Sequence, residues 1–541
     1  MAAAGAPTVL LVAAGLALAG LAVRFAPPAT VRLEPIGRYD GGVFSPRAVQ
    51  NPPAWDAQRH RLYLGSQARA RIDILDLSRP AAPRVIAAIG RGDLPPGISP
   101  AKIGGGISAL AYRDDVLAAA LAASDKADAG IVVLFDGDGR PLAPAVEVGF
   151  SPNAMAFVPG RPLLLVVNQG DRGGAVDPPG SLSAIRLNRE GASVSPTVSA
   201  IDFTRFDGRE DELRAAGIRL ITAGASASQD LEPESLAMPE DGHTAWVTLP
   251  RNNAIAVVDL DAMVITGLLP LGVKDMRRPG NGFDASDRDG RIAIRPWPVE
   301  ALYQPDGIAA YQVLGRTYLA TANEGDPRPG EEVRVGEAVL DAAAFPDAAW
   351  LQRPENLGRL QVGRIDGDPN RDGALQRLVT FGARSLAVWS TDGRLLGESG
   401  DLFERTTARA VPTGFNTTDD ATRFDDRSDD RGPEPEAIAI GRVRGRAIAF
   451  VTFERTGGVI AVDVTRPRAP LLQDYVNTRN LAVDPASACA PPGRKEAACA
   501  AAGDLGPESL LFIPAGESPT GAPLLLVRYD LSDTLVIYAV R

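Results

Sequence analysis

Carboxylates recur at one position of one repeated phrase: a proline, an acidic or amide residue, a small residue and an apolar pair. The acidic copies are Pro233-Glu234-Ser235-Leu236-Ala237, Pro305-Asp306-Gly307-Ile308-Ala309, Pro435-Glu436-Ala437-Ile438-Ala439 and Pro507-Glu508-Ser509-Leu510-Leu511. An amide copy reads Pro152-Asn153-Ala154-Met155-Ala156. If these residues converge on one axis they repel, and they need a cation, a proton or wide spacing. An all-oxygen donor set favours Ca²⁺, with Mg²⁺ or Mn²⁺ as lesser fits. The simpler alternative is a tight turn entering each strand, the acid accepting backbone N–H groups.

Two further acidic stretches stand out. Asp284-Ala285-Ser286-Asp287-Arg288-Asp289-Gly290 has the close carboxylates and turn glycine of a calcium loop, but lacks the spacing and distal glutamate of an EF-hand. Asp284, Asp287 and Asp289 are its candidate ligands. Asp425-Asp426-Arg427-Ser428-Asp429-Asp430-Arg431 reads as a solvated loop that runs straight into Glu434-Pro435-Glu436. Nucleophile–base chemistry has little support. His60 and His243 are the only histidines, both at strand starts, and there is no Gly-x-Ser-x-Gly elbow. Hydrolysis would have to use Ca²⁺ with carboxylates, and arginines to hold a phosphate.

The elements that position the phrase are short strands. Ser235–Pro239, His243–Leu249, Ala254–Asp259 and Met263–Leu271 are four apolar or alternating runs separated by turn residues, the pattern of one propeller blade. Ala437–Gly441, Arg446–Phe453, Gly458–Val464 and Ala469–Tyr475 repeat it. Similar units start near Pro52, Gly106 and Pro152. A fifth starts at Pro305 and carries an insertion over about 325–374, before outer strands at Arg377–Phe381 and Ser385–Trp389. The last unit, from Pro507, has three runs, and Thr30–Tyr39 is a leftover strand able to complete it. The expected fold is therefore all-β: a seven-bladed β-propeller over residues 30–541, closed by an N-terminal strand joining the last blade. The inner strand of each blade lines the axis, so the phrase places Asn153, Glu234, Asp306, Glu436 and Glu508 near one mouth. Asp207–Gly217 predicts a short helix between blades.

Gly 56 and Pro 45 in 541 residues suit many strands joined by tight turns. A net charge of −11 with no basic run argues against nucleic acid. The apolar run Thr8–Val23, followed by Arg24 and Pro27-Pro28, makes residues 1–29 a signal peptide or an uncleaved N-terminal anchor. Membrane contact is expected only through that segment. Cys489 and Cys499 flank a short polar loop, and in an exported chain they are expected to form a disulfide.

Longer phrases add a resemblance. Leu231-Glu232-Pro233-Glu234-Ser235 is followed by Asn252-Asn253-Ala254, by Pro279-Gly280-Asn281-Gly282-Phe283-Asp284 and by Tyr303-Gln304-Pro305-Asp306. Thr321-Ala322-Asn323-Glu324-Gly325-Asp326 and Gly432-Pro433-Glu434-Pro435-Glu436 come after. From about Gly37 onward the chain resembles the choice-of-anchor I family, exported bacterial proteins related to a mesenchyme-specific cell surface glycoprotein. The resemblance implies a secreted or surface β-propeller, with some relatives named alkaline phosphatase. Family members often carry an Asn-Glu pair in their second strands. It stands here as Asn323-Glu324, which adds Glu324 to the metal candidates, becomes Asn168-Gln169, and reads as Arg528-Tyr529 in the last blade. The resulting expectation is a periplasmic, extracellular or cell-surface binding protein with Ca²⁺ at an acidic channel mouth. Its partner would be a surface or a small anionic ligand bridged by the metal. The rival is a calcium-dependent phosphoesterase at the same place.

Overall fold

Continuous apolar stretches such as Leu163–Asn168 and Leu524–Tyr529 are buried along their whole length, as strands covered on both faces must be. Outer strands such as Arg84–Ile89 are largely exposed. In the computed structural model these runs form seven four-stranded antiparallel sheets. The described residues are 30–45, 52–67, 69–171, 176–191, 193–490, 493–494 and 497–541. The expected leader or anchor lies outside them.

In chain order, six of the sheets open with Ala54–Asp56, Gly106–Arg113, Pro152–Phe157, Leu236–Ala237, Ile308–Val313 and Pro435–Val443. The remaining sheet is ordered Leu33–Asp40, Thr534–Val540, Leu524–Tyr529, Pro507–Ile513, so an N-terminal strand pairs with the C-terminal one. Consecutive sheets pack face to face through separate apolar clusters, the Leu182 and Val247 cluster between the third and fourth being one. Another joins Leu62 and Leu64 of the first sheet to Leu526 and Ile537 of the last. First strands of neighbouring sheets lie against one another, which gathers the phrase-bearing edges together. This is the architecture of a β-propeller. The helix expected between units is Glu210–Ala215, acids in its first turn.

The fifth sheet departs from the sequence reading. Its strands are Ile308–Val313, Arg316–Asn323, Ser385–Ser390 and Leu395–Glu398, so the chain leaves it after Asn323 and returns at Ser385. Arg377–Phe381, read as an outer strand, is not part of it. Val379–Thr380 instead runs parallel to Glu300–Ala301 in an accessory sheet that also holds Val273–Asp275. The apolar Leu378, Val379 and Phe381 that suggested a blade strand are buried against that accessory layer.

Glycine permits the excursion to return. Gly325 and Gly382 have φ of +105° and +73°, and a Cβ on Gly382 would stand 1.9 Å from the Glu324 carbonyl oxygen. Gly382→Ala should therefore cost about 2 kcal/mol or more, because backbone has to move. Gly373→Ala, at φ +89° with open space around it, should cost only about 1 kcal/mol from the backbone conformation alone. Thermal melts of the two variants check this; equal losses would mean that the close approach does not matter.

The expected disulfide is present between Cys489 and Cys499. It is buried with Phe44, Ala502, Leu505 and Leu531.

Candidate functional site

Glu436 and Glu508 sit at the start of their sheets' first strands, one residue after a proline, and Glu234 and Asp306 stand just before theirs. The edge position brings their side chains together with loops from the far ends of the second strands. Two networks result.

On one side, Arg251 is clamped by three carboxylates. It donates to Glu232 at 2.5 Å and to Asp326 at 2.8 Å, with Asp171 at 3.3 Å. Glu232 is buried and also faces Arg328 at 2.9 Å. Glu234 accepts from the Asn153 amide at 3.3 Å and the Gln169 amide at 3.4 Å. The amide copy of the phrase thus serves its acidic neighbour. Burial, and then the Asp326 charge, push the Glu234 carboxyl up to about 8.

On the other side, Glu434 is fully buried and takes Arg427 at 2.6 Å, Arg455 at 3.2 Å and Arg431 at 3.5 Å. Burial opposes its ionisation, but Arg431, Arg427 and Arg455 outweigh it and hold the carboxyl well below the usual range. Arg455 also faces Glu454 at 2.9 Å and Asp419 at 2.7 Å. Next to this clamp, carboxylate oxygens of Asp306, Glu324 and Glu436 lie within 4.8 Å of one another. Asp306 and Glu436 are buried, and Arg431 stands 3.9 Å from Glu324. Burial and the Glu436 charge push the Glu324 carboxyl well above its ordinary value. Glu508 is raised likewise, by burial and then by Glu454 and Glu436.

Of the phrase carboxylates, then, Asp306 and Glu436 meet Glu324, Glu508 stands in the same electrostatic neighbourhood, and Glu234 belongs to the Arg251 network. The calcium-like loop lies elsewhere. Asp284 and Asp289 there approach Asp425, while Asp287 is taken by Arg359 at 3.0 Å and Arg288 at 3.2 Å.

Strand register corrects one alignment. Pro152 pairs with Asn168, Pro435 with Phe453 and Pro507 with Tyr529. The counterpart of Asn168-Gln169 in the last sheet is therefore Tyr529-Asp530, not Arg528-Tyr529, and in the sixth sheet it is Phe453-Glu454. The carboxylate thought lost is Asp530, held by Arg528 at 2.9 Å. A β-bulge beside each of those prolines hides the register from simple counting.

The profile described as Choice-of-anchor I domain matches residues 52–467. The chain belongs to this family. Among relatives, the "Mesenchyme-specific cell surface glycoprotein" of Strongylocentrotus purpuratus is 28% identical over 311 residues, covering 49% of this chain and 40% of that protein. "Gigasin-3a" of Magallana gigas is 27% identical over 205 residues, covering 35% of this chain and 67% of that one. Among solved structures, the WD40 domain of Toxoplasma gondii coronin matches 94% of this chain and 86% of its own at 9% identity, with a TM-score of 0.41. A hydrazine synthase chain from Kuenenia stuttgartiensis matches 93% and 99% at 10% identity and a TM-score of 0.43. In this choice-of-anchor I chain the phrase carboxylates lie among two arginine–carboxylate networks, around Arg251 and around Glu434.

Proposed function

We propose that this choice-of-anchor I protein is an exported, surface-associated binding protein built as a seven-bladed propeller closed by its N-terminal strand. It carries a divalent cation, Ca²⁺, at the axial mouth and works in the periplasm or outside the cell. The observation that carries the cation is the meeting of Asp306, Glu324 and Glu436 within 4.8 Å, with Arg431 no closer than 3.9 Å to Glu324. Oxygens around an ion at 2.3–2.6 Å lie no more than about 5 Å apart, so the spacing suits Ca²⁺. Seven four-stranded sheets and the pairing of Leu33–Asp40 with Thr534–Val540 support the blade count and the closure. The cell-surface name of the sea-urchin relative and the disulfide support export. The partner is a surface or small anionic group that completes the ion's coordination.

Binding is favoured over phosphoester hydrolysis because the mouth arginines are already engaged. Arg251, Arg427 and Arg455 each face carboxylates within 3.2 Å. His243 is exposed and bonded to Asp261, away from these networks. The test is calorimetry and metal analysis of chelator-stripped protein, wild type against Glu436→Gln and Glu324→Gln, alongside p-nitrophenyl phosphate with and without Ca²⁺. Loss of one bound Ca²⁺ per chain in both variants, without turnover, is expected. Calcium-dependent turnover abolished in Glu436→Gln would overturn the binding reading, and unchanged Ca²⁺ binding in both variants would overturn the cation.

A further inference from the structure

A second carboxylate centre lies in the loops around the accessory layer. The chain leaves and rejoins at a bridge between Phe283 and Arg295, closing the excursion that holds Asp284 and Asp289. Asp284 is buried, and its carboxylate accepts the Ala293 N–H at 2.5 Å. Asp289 accepts the Arg291 N–H at 3.1 Å. From far along the chain comes Asp425, 1% exposed and held at φ +68° by its own N–H on the Phe415 carbonyl at 2.8 Å. One oxygen from each of the three carboxylates lies within 4.8 Å of the others.

What marks this as more than an acidic cluster is an unsatisfied group. Asp425 Oδ1 accepts the Ser428 hydroxyl, but Oδ2, fully buried, has no hydrogen-bond partner among the described residues. The Oδ1 of Asn416, whose amide donates to the same Ser428 hydroxyl at 2.8 Å, is also buried without a donor. A buried carboxylate oxygen left without a donor is costly. Local charge does not cancel either. Arg384 is bound to Glu404 at 2.6 Å and the largely exposed Arg291 to Asp289 at 3.2 Å, while Asp284 and Asp425 form no ion pair among the described residues.

We infer that Asp284, Asp289 and Asp425 hold a Ca²⁺ ion that staples the 283–295 excursion to the 415–430 segment. Oxygen-only donors, mutual spacing and the buried, unpartnered Asp425 Oδ2 all suit it, with water completing the shell. Asp287, the middle acid of the loop, lies outside the three-carboxylate cluster and is paired with Arg359 at 3.0 Å. The stapled segment continues into Arg427, Arg431 and Glu434, so the ion also fixes the arginine clamp of the mouth.

The inference is independent of the mouth ion, and one experiment separates them. Full-length protein is stripped with EGTA and titrated with Ca²⁺, with bound metal counted by elemental analysis, for wild type, Asp289→Asn, Asp425→Asn, Asp287→Asn and Glu436→Gln. Asp289→Asn and Asp425→Asn are each expected to lose one ion per chain and the associated rise in melting temperature. Asp287→Asn should keep both ions, and Glu436→Gln should keep the staple ion. Asp289 is at the edge of the site, so its variant answers the question if Asp425→Asn does not fold. Unchanged Ca²⁺ stoichiometry in Asp289→Asn, loss only in Glu436→Gln, or tighter binding of Mg²⁺ than Ca²⁺ would overturn the inference.

Discussion

Arg384→Met is expected to lower folding stability by about 3–5 kcal/mol, the usual cost of breaking a buried ion pair from one side. Arg384 is 2% exposed and lies over the Phe283 ring with 4.7 Å to its centroid. It donates to Glu404 at 2.6 Å, to the Asp284 carbonyl at 3.0 Å, and to the Ser428 and Asp430 carbonyls at 2.8 and 2.7 Å. One guanidinium thus ties three separate segments. Methionine fills much of the space but leaves Glu404 charged in the interior and three carbonyls without a donor. Lysine would not replace the planar fork, so Arg384→Lys should recover little. Adding Glu404→Leu to Arg384→Met removes the stranded charge and should return part of the loss, the carbonyls remaining unsatisfied. Urea unfolding of the single and double variants measures this. A loss below about 1 kcal/mol, or a double variant no more stable than Arg384→Met, would contradict a central clamp.

The same residue shows where the sequence stops being readable. The phrase carboxylates could be placed at the sheet edges because proline and a following acid mark the entry to a strand, a local signal. Ala254–Asp259 could be read from its own apolar content and flanking turns, and it forms as read. Asp425, by contrast, joins Asp284 and Asp289 only after an entire sheet has been built between them, and nothing local in an acidic run distinguishes a buried ligand from a solvated loop. Glu324 meets Asp306 and Glu436 for the same non-local reason. Arginines at Arg251, Arg431 and Arg455 were invisible as mouth residues because their partners come from other loops. Asp530 is hidden from simple counting by a slip of one residue at a bulge, and such a slip exchanges faces in a strand. Val379–Thr380 reads like a blade strand because burial against an accessory sheet and burial in a blade demand the same apolar side chains.

Stability of the metal-free protein should fall as pH rises through the neutral range, opposite to the behaviour of a protein rich in surface ion pairs. Burial pushes the Glu232 carboxyl up to about 7 despite Arg251 and Arg328, and pushes Asp530 to about 7 despite Arg528. Glu234 is raised to about 8 by burial and by Asp326. Their ordinary values are 4.5 for the glutamates and 3.8 for the aspartate. Between those values and about 7–8 the folded chain keeps protons that the unfolded chain has released. Unfolding then releases protons, and raising the pH favours it. Each such group contributes a slope of about 1.4 kcal/mol per pH unit across its window. Glu434 acts with the opposite sign: its carboxyl is held low, so its contribution is present above 4.5 and is lost as pH falls further. The two limbs meet at about pH 4, and stability falls from there towards pH 8. Denaturation midpoints from pH 4 to 9, taken in EDTA so that no cation contributes, should trace this curve. Glu234→Gln mimics the protonated side chain, so it should match wild type at about pH 4 and exceed it by about 4 kcal/mol at pH 8, the slope being taken from 4.5 to about 8. A profile flat from pH 5 to 8, or a Glu234→Gln variant that follows the wild-type slope, would show that these carboxyls ionise freely in the folded state.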